Sequence, residues 1–143
     1  MARSFKLAVI TPERLFYTGD VELVIARTVS GDEGYMYGHI WACKLLKPGE
    51  LWIREANSLS TDFKVAALAA GFVDVEDRVI IYADAAEWPN EIDLERAKSA
   101  KKRAEDMLKG PKKSDEEQRM TEIALYKAIN RMNVKSGGIR RKR

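Results

Sequence analysis

The residues best placed to do chemistry lie just past the middle of the chain. In Ile92-Asp93-Leu94-Glu95-Arg96-Ala97, with Arg103 seven residues after Arg96, helical spacing puts Asp93, Arg96 and Arg103 near one face. Guanidinium groups on one face can clamp phosphates or carboxylates, and a carboxylate beside them can accept hydrogen bonds from a ligand. The spacing alone favours a plainer reading. Asp93 suits the positive start of a helix, and Glu95 with Lys98 or Ser99 faces water, which makes a surface ladder.

Other candidate chemistry is sparse. His39 follows Gly38 in the glycine-rich stretch Gly31-Asp32-Glu33-Gly34-Tyr35-Met36-Tyr37-Gly38-His39, and could serve as a general base. It has no nucleophile or second histidine in sequence support, so a structural or contact role is the better reading. A single cysteine, Cys43, excludes an internal disulfide and a Cys/His zinc cluster; we expect it packed as a small apolar side chain. No phosphate-binding loop, His-Glu-x-x-His, Gly-x-Ser-x-Gly or kinase signature occurs, so catalysis by this chain alone is not expected. The end of the chain, Ile139-Arg140-Arg141-Lys142-Arg143, is basic but lacks aromatic residues to stack bases, which argues for a solvated end over nucleic-acid binding.

These residues sit in two modules of opposite sign. Residues 1–89 carry 9 Lys and Arg against 13 Asp and Glu, whereas residues 90–143 carry 16 against 9. A net of −4 beside a net of +7 suggests a different partner for each half. The first module, residues 1–88, reads as short strands over residues 5–10 and 21–29, near Leu46, at Leu51-Trp52-Ile53, and as a hairpin from Gly71 to Tyr82. Thr11-Pro12-Glu13, Thr18-Gly19-Asp20 and Lys47-Pro48-Gly49 read as turns, the last with a positive φ at glycine. Many short strands with no helix between them point to an antiparallel β-sandwich or barrel.

The second module, residues 89–143, reads as an antiparallel two-helix hairpin. One helix runs from about Glu91 to Lys109 and stops at Gly110-Pro111; the next is capped by Ser114-Asp115-Glu116-Glu117 and ends at Ser136-Gly137-Gly138. The expected seam is Ala97, Ala100, Ala104 and Leu108 against Met120, Ala124, Ala128 and Met132. Such small side chains bury little, at roughly 0.8 kcal/mol per CH₂-sized group, so the hairpin is expected to detach or open readily. No apolar run approaches the roughly 18 residues of a membrane span, and the N-terminus has neither signal-peptide nor transit-peptide form; cytoplasmic residence is expected.

Seven short motifs stand in order: Thr11-Pro12-Glu13-Arg14; Gly31 to Gly34 with Gly38-His39; Leu46-Lys47-Pro48-Gly49; Gly71-Phe72-Val73; Asp84-Ala85-Ala86-Glu87; Ile92-Asp93 with Arg96-Ala97; and Arg103-Ala104-Glu105. In this order and spacing, over nearly the whole chain, they resemble the epsilon subunit of bacterial F-type ATP synthase. The resemblance implies an N-terminal β-sandwich followed by a helical hairpin, a non-catalytic rotor part at the cytoplasmic face of the plasma membrane. Its implied partners are the gamma subunit, the c-ring and the catalytic alpha/beta head, with the membrane met only indirectly. Asp32, Glu33 and His39 are the implied c-ring contacts, although this chain has Tyr37 and Trp41 where the family often has proline.

The resemblance also implies a hairpin that inhibits ATP hydrolysis when extended into the head, with Lys101, Lys102, Arg119 and the basic tail helping it dock. Some members bind ATP in the folded hairpin. Carried over singly, the ATP-binding residues here are Glu87, Ile92, Asp93, Arg96, Ala97, Arg103, Lys127 and Arg131, with Lys127 where the pattern has arginine. This reverses the preference for a surface ladder. ATP is then a regulatory ligand rather than a required cofactor, no metal site is implied, and the part played by Mg²⁺ stays open. The alternative class is a basic nucleic-acid-binding or protein-interaction adaptor.

Overall fold

A computed structural model describes residues 3–111 and 114–137. The chain divides into two compact units, residues 1–87 and residues 88–143.

The first unit holds nine strands among its described residues: β1 (Phe5–Ile10), β2 (Leu15–Thr28), β3 (Gly31–Tyr35), β4 (Ala42–Leu46), β5 (Gly49–Glu55), β6 (Lys64–Leu68), β7 (Gly71–Val75), β8 (Val79–Ala83) and β9 (Ala86–Glu87). The order is β1-β8-β7-β4-β2-β5-β6-β9, with β3 also on β2 and β1 returning to pair β2. The 14-residue β2 is the hinge between two layers. Its first half pairs β1 (Val21 with Phe5), and its second half lies between β3 and β5, Val24 facing both Tyr35 and Ile53. A register shift between Val21 and Leu23 marks the change, where a bulge adds twist to the strand. The pairing is antiparallel except for β1 and β8, which run parallel from Leu7 with Val79 to Ile10 with Tyr82.

Period-two alternation builds the core. On β1, Phe5, Leu7 and Val9 point inward; on β8, Val79, Ile81 and Ala83 do so; Val73 and Val75 of β7 and Leu51 and Ile53 of β5 meet them. The sandwich and the β7–β8 hairpin agree with the sequence reading; several local expectations do not. Thr18-Gly19-Asp20 is no turn but the middle of β2, because Lys6, Leu7 and Ala8 supply its ladder partners. Gly49 lacks a positive φ and begins β5. A side chain there would bring a Cβ within 2.6 Å of the Arg27 Cβ, so close approach to β2 explains the glycine. The first part of the glycine-rich stretch, Gly31–Tyr35, is strand β3. Cys43, expected to be packed, is exposed, since the inward register of β4 belongs to Leu46.

The second unit starts with a 3-10 turn, Pro89–Glu91, in which the Glu91 carboxylate accepts from the Trp88 N–H at 2.9 Å. Helix α1 spans Leu94–Lys109 and α2 spans Asp115–Lys135. The first helix starts later than its apolar pattern suggested. Asp93 is the N-cap, accepting from the Arg96 N–H at 3.1 Å. At its other end Gly110 is extended (φ −77°, ψ −175°), the conformation that Pro111 imposes on the residue before it. Ser114 caps α2 by accepting from the Glu117 N–H, and Gly137 follows its end at φ 102°. The α2 seam is displaced from expectation. Ala128 and Val134 are buried with Ala97 and Ala104 of α1, but Met120 and Ala124 are exposed, so the inward line runs through Thr121, Leu125 and Ala128. The Lys135 ammonium returns to the Pro89 carbonyl at 3.1 Å and closes the hairpin.

Candidate functional site

The capped start of α1 fixes which side chains can converge. Asp93 spends its carboxylate on the backbone N–H of Arg96, which leaves the Arg96 side chain at the first turn of a well-started helix. Arg96, Ser99 or Ala100, and Arg103 follow at i, i+3 or i+4, and i+7, one face of α1. On the antiparallel α2, Arg131 lies near the C-terminal end and therefore opposite the start of α1. Glu95, Arg96, Ser99, Ala100, Arg103 and Arg131 line one open cavity of about 460 Å³. That volume is within the range of roughly 300–1,000 Å³ typical of small-molecule sites.

The Arg96 and Arg103 guanidiniums make no ion pair or hydrogen bond among the described residues, so both are available to a ligand. The ladder reading is met by Asp93 at the helix start and by exposed Lys98 with Glu95 at 3.8 Å, and it leaves Arg96 and Arg103 unpaired among the described residues. Uncommitted guanidiniums on a concave wall suit a polyanion. Of the residues carried over from the family pattern, Arg96, Arg103 and Arg131 are brought together. Ile92 and Ala97 are buried beneath this region, and Asp93 is the helix cap. Lys127 is exposed one turn before Arg131 on α2 and is not part of the cavity wall. Glu87 belongs to β9, where it pairs with Ala67 in the other unit. Glu95, Ser99 and Ala100 are wall residues that the sequence reading left in solvent or in the helix seam. Their i, i+3, i+7 relation to Arg96 and Arg103 was the signal available for Ser99.

A second set lies in the first unit. Asp32 of β3 is tied to Arg27 at 3.0 Å, and Glu33 to Lys44. The Lys44 ammonium, helped by the Thr28 hydroxyl, holds the Glu33 carboxyl below its ordinary value. Tyr35 is fully buried, and its hydroxyl has no hydrogen-bond partner among the described residues; burial and then the Glu33 charge push its pKa up to about 12. Past β3 the chain turns through Gly38, at φ +82°, and the His39 N–H closes the turn on the Met36 carbonyl at 3.1 Å. His39 is thus folded back edge-on to Tyr35, with centroids 4.9 Å apart. Around it Met36, Tyr37, Ile40 and Trp41 are all more than half exposed. Asp32 and Glu33 are therefore neutralised within the chain, and the outward chemistry of this corner is aromatic and aliphatic. Among the described residues no group of three or more His, Cys, Asp or Glu could hold a metal, and no helix is long and apolar enough to cross a membrane.

Both units match known sequence families. Residues 4–89 match the ATP synthase delta/epsilon chain beta-sandwich domain, and residues 90–136 match the long alpha-helix domain of the same chain. The chain belongs to the ATP synthase delta/epsilon family. A family relative, the ATP synthase epsilon chain of Alkaliphilus metalliredigens, is 43% identical over 135 residues, 94% of this chain and 97% of the relative. The epsilon chain of Bacillus pumilus is 38% identical over 92% of this chain and 97% of its own length. Among solved structures the fold resembles a chain of the Euglena gracilis mitochondrial ATP synthase, with a TM-score of 0.75 and 23% identity, covering 89% of this chain and 78% of that one. A chain of the Tetrahymena thermophila central stalk and c-ring assembly gives a TM-score of 0.63 at 14% identity, covering 93% and 97%. These matches confirm the family resemblance drawn from the seven motifs and do not favour a nucleic-acid-binding adaptor.

Proposed function

We propose that the chain is a non-catalytic central-stalk subunit of a bacterial F-type ATP synthase, at the cytoplasmic face of the plasma membrane. Its sandwich docks on the gamma subunit and the c-ring, and its hairpin restrains ATP hydrolysis in an ATP-dependent manner. The family match over residues 4–136 supports the rotor role. Sensing rests on one observation: the Arg96 and Arg103 guanidiniums, without partners among the described residues, share a cavity wall with Arg131. ATP seated there bridges α1 and α2 and favours the folded hairpin, which keeps the inhibitory segment from the catalytic head. Ligand at about 100 times its Kd adds roughly 2.7 kcal/mol to the form that binds it, enough to shift a hairpin held by alanine-sized contacts.

Calorimetric titration of ATP into the full chain tests this. Saturable one-to-one binding is expected, weakened at least tenfold (about 1.4 kcal/mol) by Arg103→Ala. Equal binding by native chain and variant, or none at millimolar ATP, would remove the sensor function. Copurification with the gamma subunit tests the rotor role separately.

A further inference from the structure

The side chains that line the hairpin cavity divide sharply in what they can do for a ligand. Arg96, Arg103 and Arg131 only donate hydrogen bonds, and Ala100 carries no polar side-chain atom. The remaining wall residues are Glu95, whose carboxylate only accepts, and Ser99, whose hydroxyl does both. Any donor that the ligand brings must therefore be met by these two. The other carboxylates that the motif carries are placed elsewhere: Asp93 caps α1 through the Arg96 N–H, and Glu87 lies in β9 of the other unit.

Helical geometry separates the two kinds of group. At about 100° per residue, the wall residues of α1 follow round the helix in the order Glu95, Ser99, Arg103, Arg96, Ala100, and the buried Ala97 and Ala104 come next. Ala100 is thus the inner edge of the wall, beside the hairpin seam, and Glu95 and Ser99, one turn apart and both exposed, are its outer rim. Among the described residues Glu95 is approached by Lys98 at 3.8 Å, with the carboxylate side chain 85% exposed, a pair loose enough to yield to a ligand. An anion seated on Arg96, Arg103 and Arg131 carries the group attached to it out over an accepting rim. In a nucleotide that group is the sugar, since the ribose is joined directly to the phosphates and the base lies beyond it. Two adjacent O–H donors of a ribose match the two oxygens of a carboxylate, the contact by which acidic side chains hold nucleotide sugars. The exocyclic amine of a base would need one such oxygen and leave Ser99 idle.

We propose that Glu95, with Ser99 beside it, reads the 2′,3′-diol of the ribose and makes the cavity selective for ribonucleotides over deoxyribonucleotides. This rests on the nucleotide reading of the cavity and adds sugar specificity to it. The arginines hold the phosphates, and the acidic rim recognises the sugar.

Calorimetric titration of the full chain with ATP and with 2′-deoxy-ATP tests it, both in excess EDTA so that no divalent cation links Glu95 to a phosphate. The native chain is expected to bind ATP about fivefold more tightly than the deoxynucleotide, the modest preference of an exposed hydrogen bond to a charged group. Removing a negative charge from a polyanion site acts on both nucleotides alike, so the ratio of the two affinities isolates the sugar contact. In Glu95→Ala that ratio is expected to fall to about one, and because Glu95 is exposed the variant should keep the native helical circular dichroism. Equal affinities in the native chain, or a preference that Glu95→Ala retains, would overturn this inference while leaving the nucleotide site standing. Saturable binding of neither nucleotide by the native chain would overturn both.

Discussion

The Tyr17 hydroxyl donates to the Glu55 carboxylate at 2.7 Å, and Lys64 approaches the same group at 3.2 Å. That phenol, against some cost of burial and with help from Lys64, holds the Glu55 carboxyl below its ordinary value near 4.5, while burial and Glu55 push the Tyr17 phenol up. For a carboxylate with a lowered folded pKa, the stabilising contribution is present above pH 4.5 and is lost as pH falls through the folded value. The phenol's contribution is present below pH 10 and is lost as pH rises through its raised value. In thermal melts from neutral pH to about pH 3, Glu55→Gln is expected to be less stable than the native chain at neutrality, the gap narrowing in acid. Tyr17→Phe is expected to cost about 1 kcal/mol, the worth of a hydrogen bond to a charged group reduced by partial exposure. A constant gap across the range would place the stabilisation elsewhere. Neither residue stood out in the sequence. Tyr17 and Glu55 are 38 positions apart, and only the two-layer path of β2 brings them together.

At the scale of elements, the strands and helices were legible wherever a periodic pattern met its own punctuation. The β7–β8 hairpin was readable because two apolar runs flank a short polar turn, and Gly71 sits where any Cβ would overlap the Tyr82 carbonyl oxygen. The β2 strand was not, because Thr18-Gly19-Asp20 carries turn chemistry locally and strand pairing only through β1. The same limit applies to the candidate site. Arg96 and Arg103 were visible as one helical face, but the family pattern was needed to call on Arg131. Glu95 and Ser99 looked like solvated positions until α2 was set opposite. The hairpin's own packing yields a direct prediction. Ala97 and Ala104 are buried at 0% and 4% exposure, so Ala104→Leu must force helices apart that approach over alanines. Overpacking of this kind costs about 1–3 kcal/mol. Hydrogen exchange is expected to accelerate in α1 and α2 with that substitution, and to be unchanged in β5. Acceleration spread evenly over both units would contradict it.

At the scale of the whole chain, the proposed nucleotide site belongs to only one of two units of opposite net charge. With ATP in excess of its Kd, amide protection is expected to rise in α1 and α2 by up to roughly a hundredfold, the counterpart of about 2.7 kcal/mol, and to stay level in β1, β5 and β8. A uniform rise would mean that the nucleotide acts on the chain generally and not through the cavity of Arg96 and Arg103. The parallel pairing of β1 with β8 has a consequence for biosynthesis. The first strand, Phe5–Ile10, finds one neighbour early in β2, but its other edge meets Val79 to Tyr82. A chain emerging from the ribosome therefore carries an open, apolar strand edge until the eighth strand has been made. The first layer can close only near the end of the sandwich's synthesis, which makes an arrest between β7 and β8 the stage most exposed to misassociation between nascent chains.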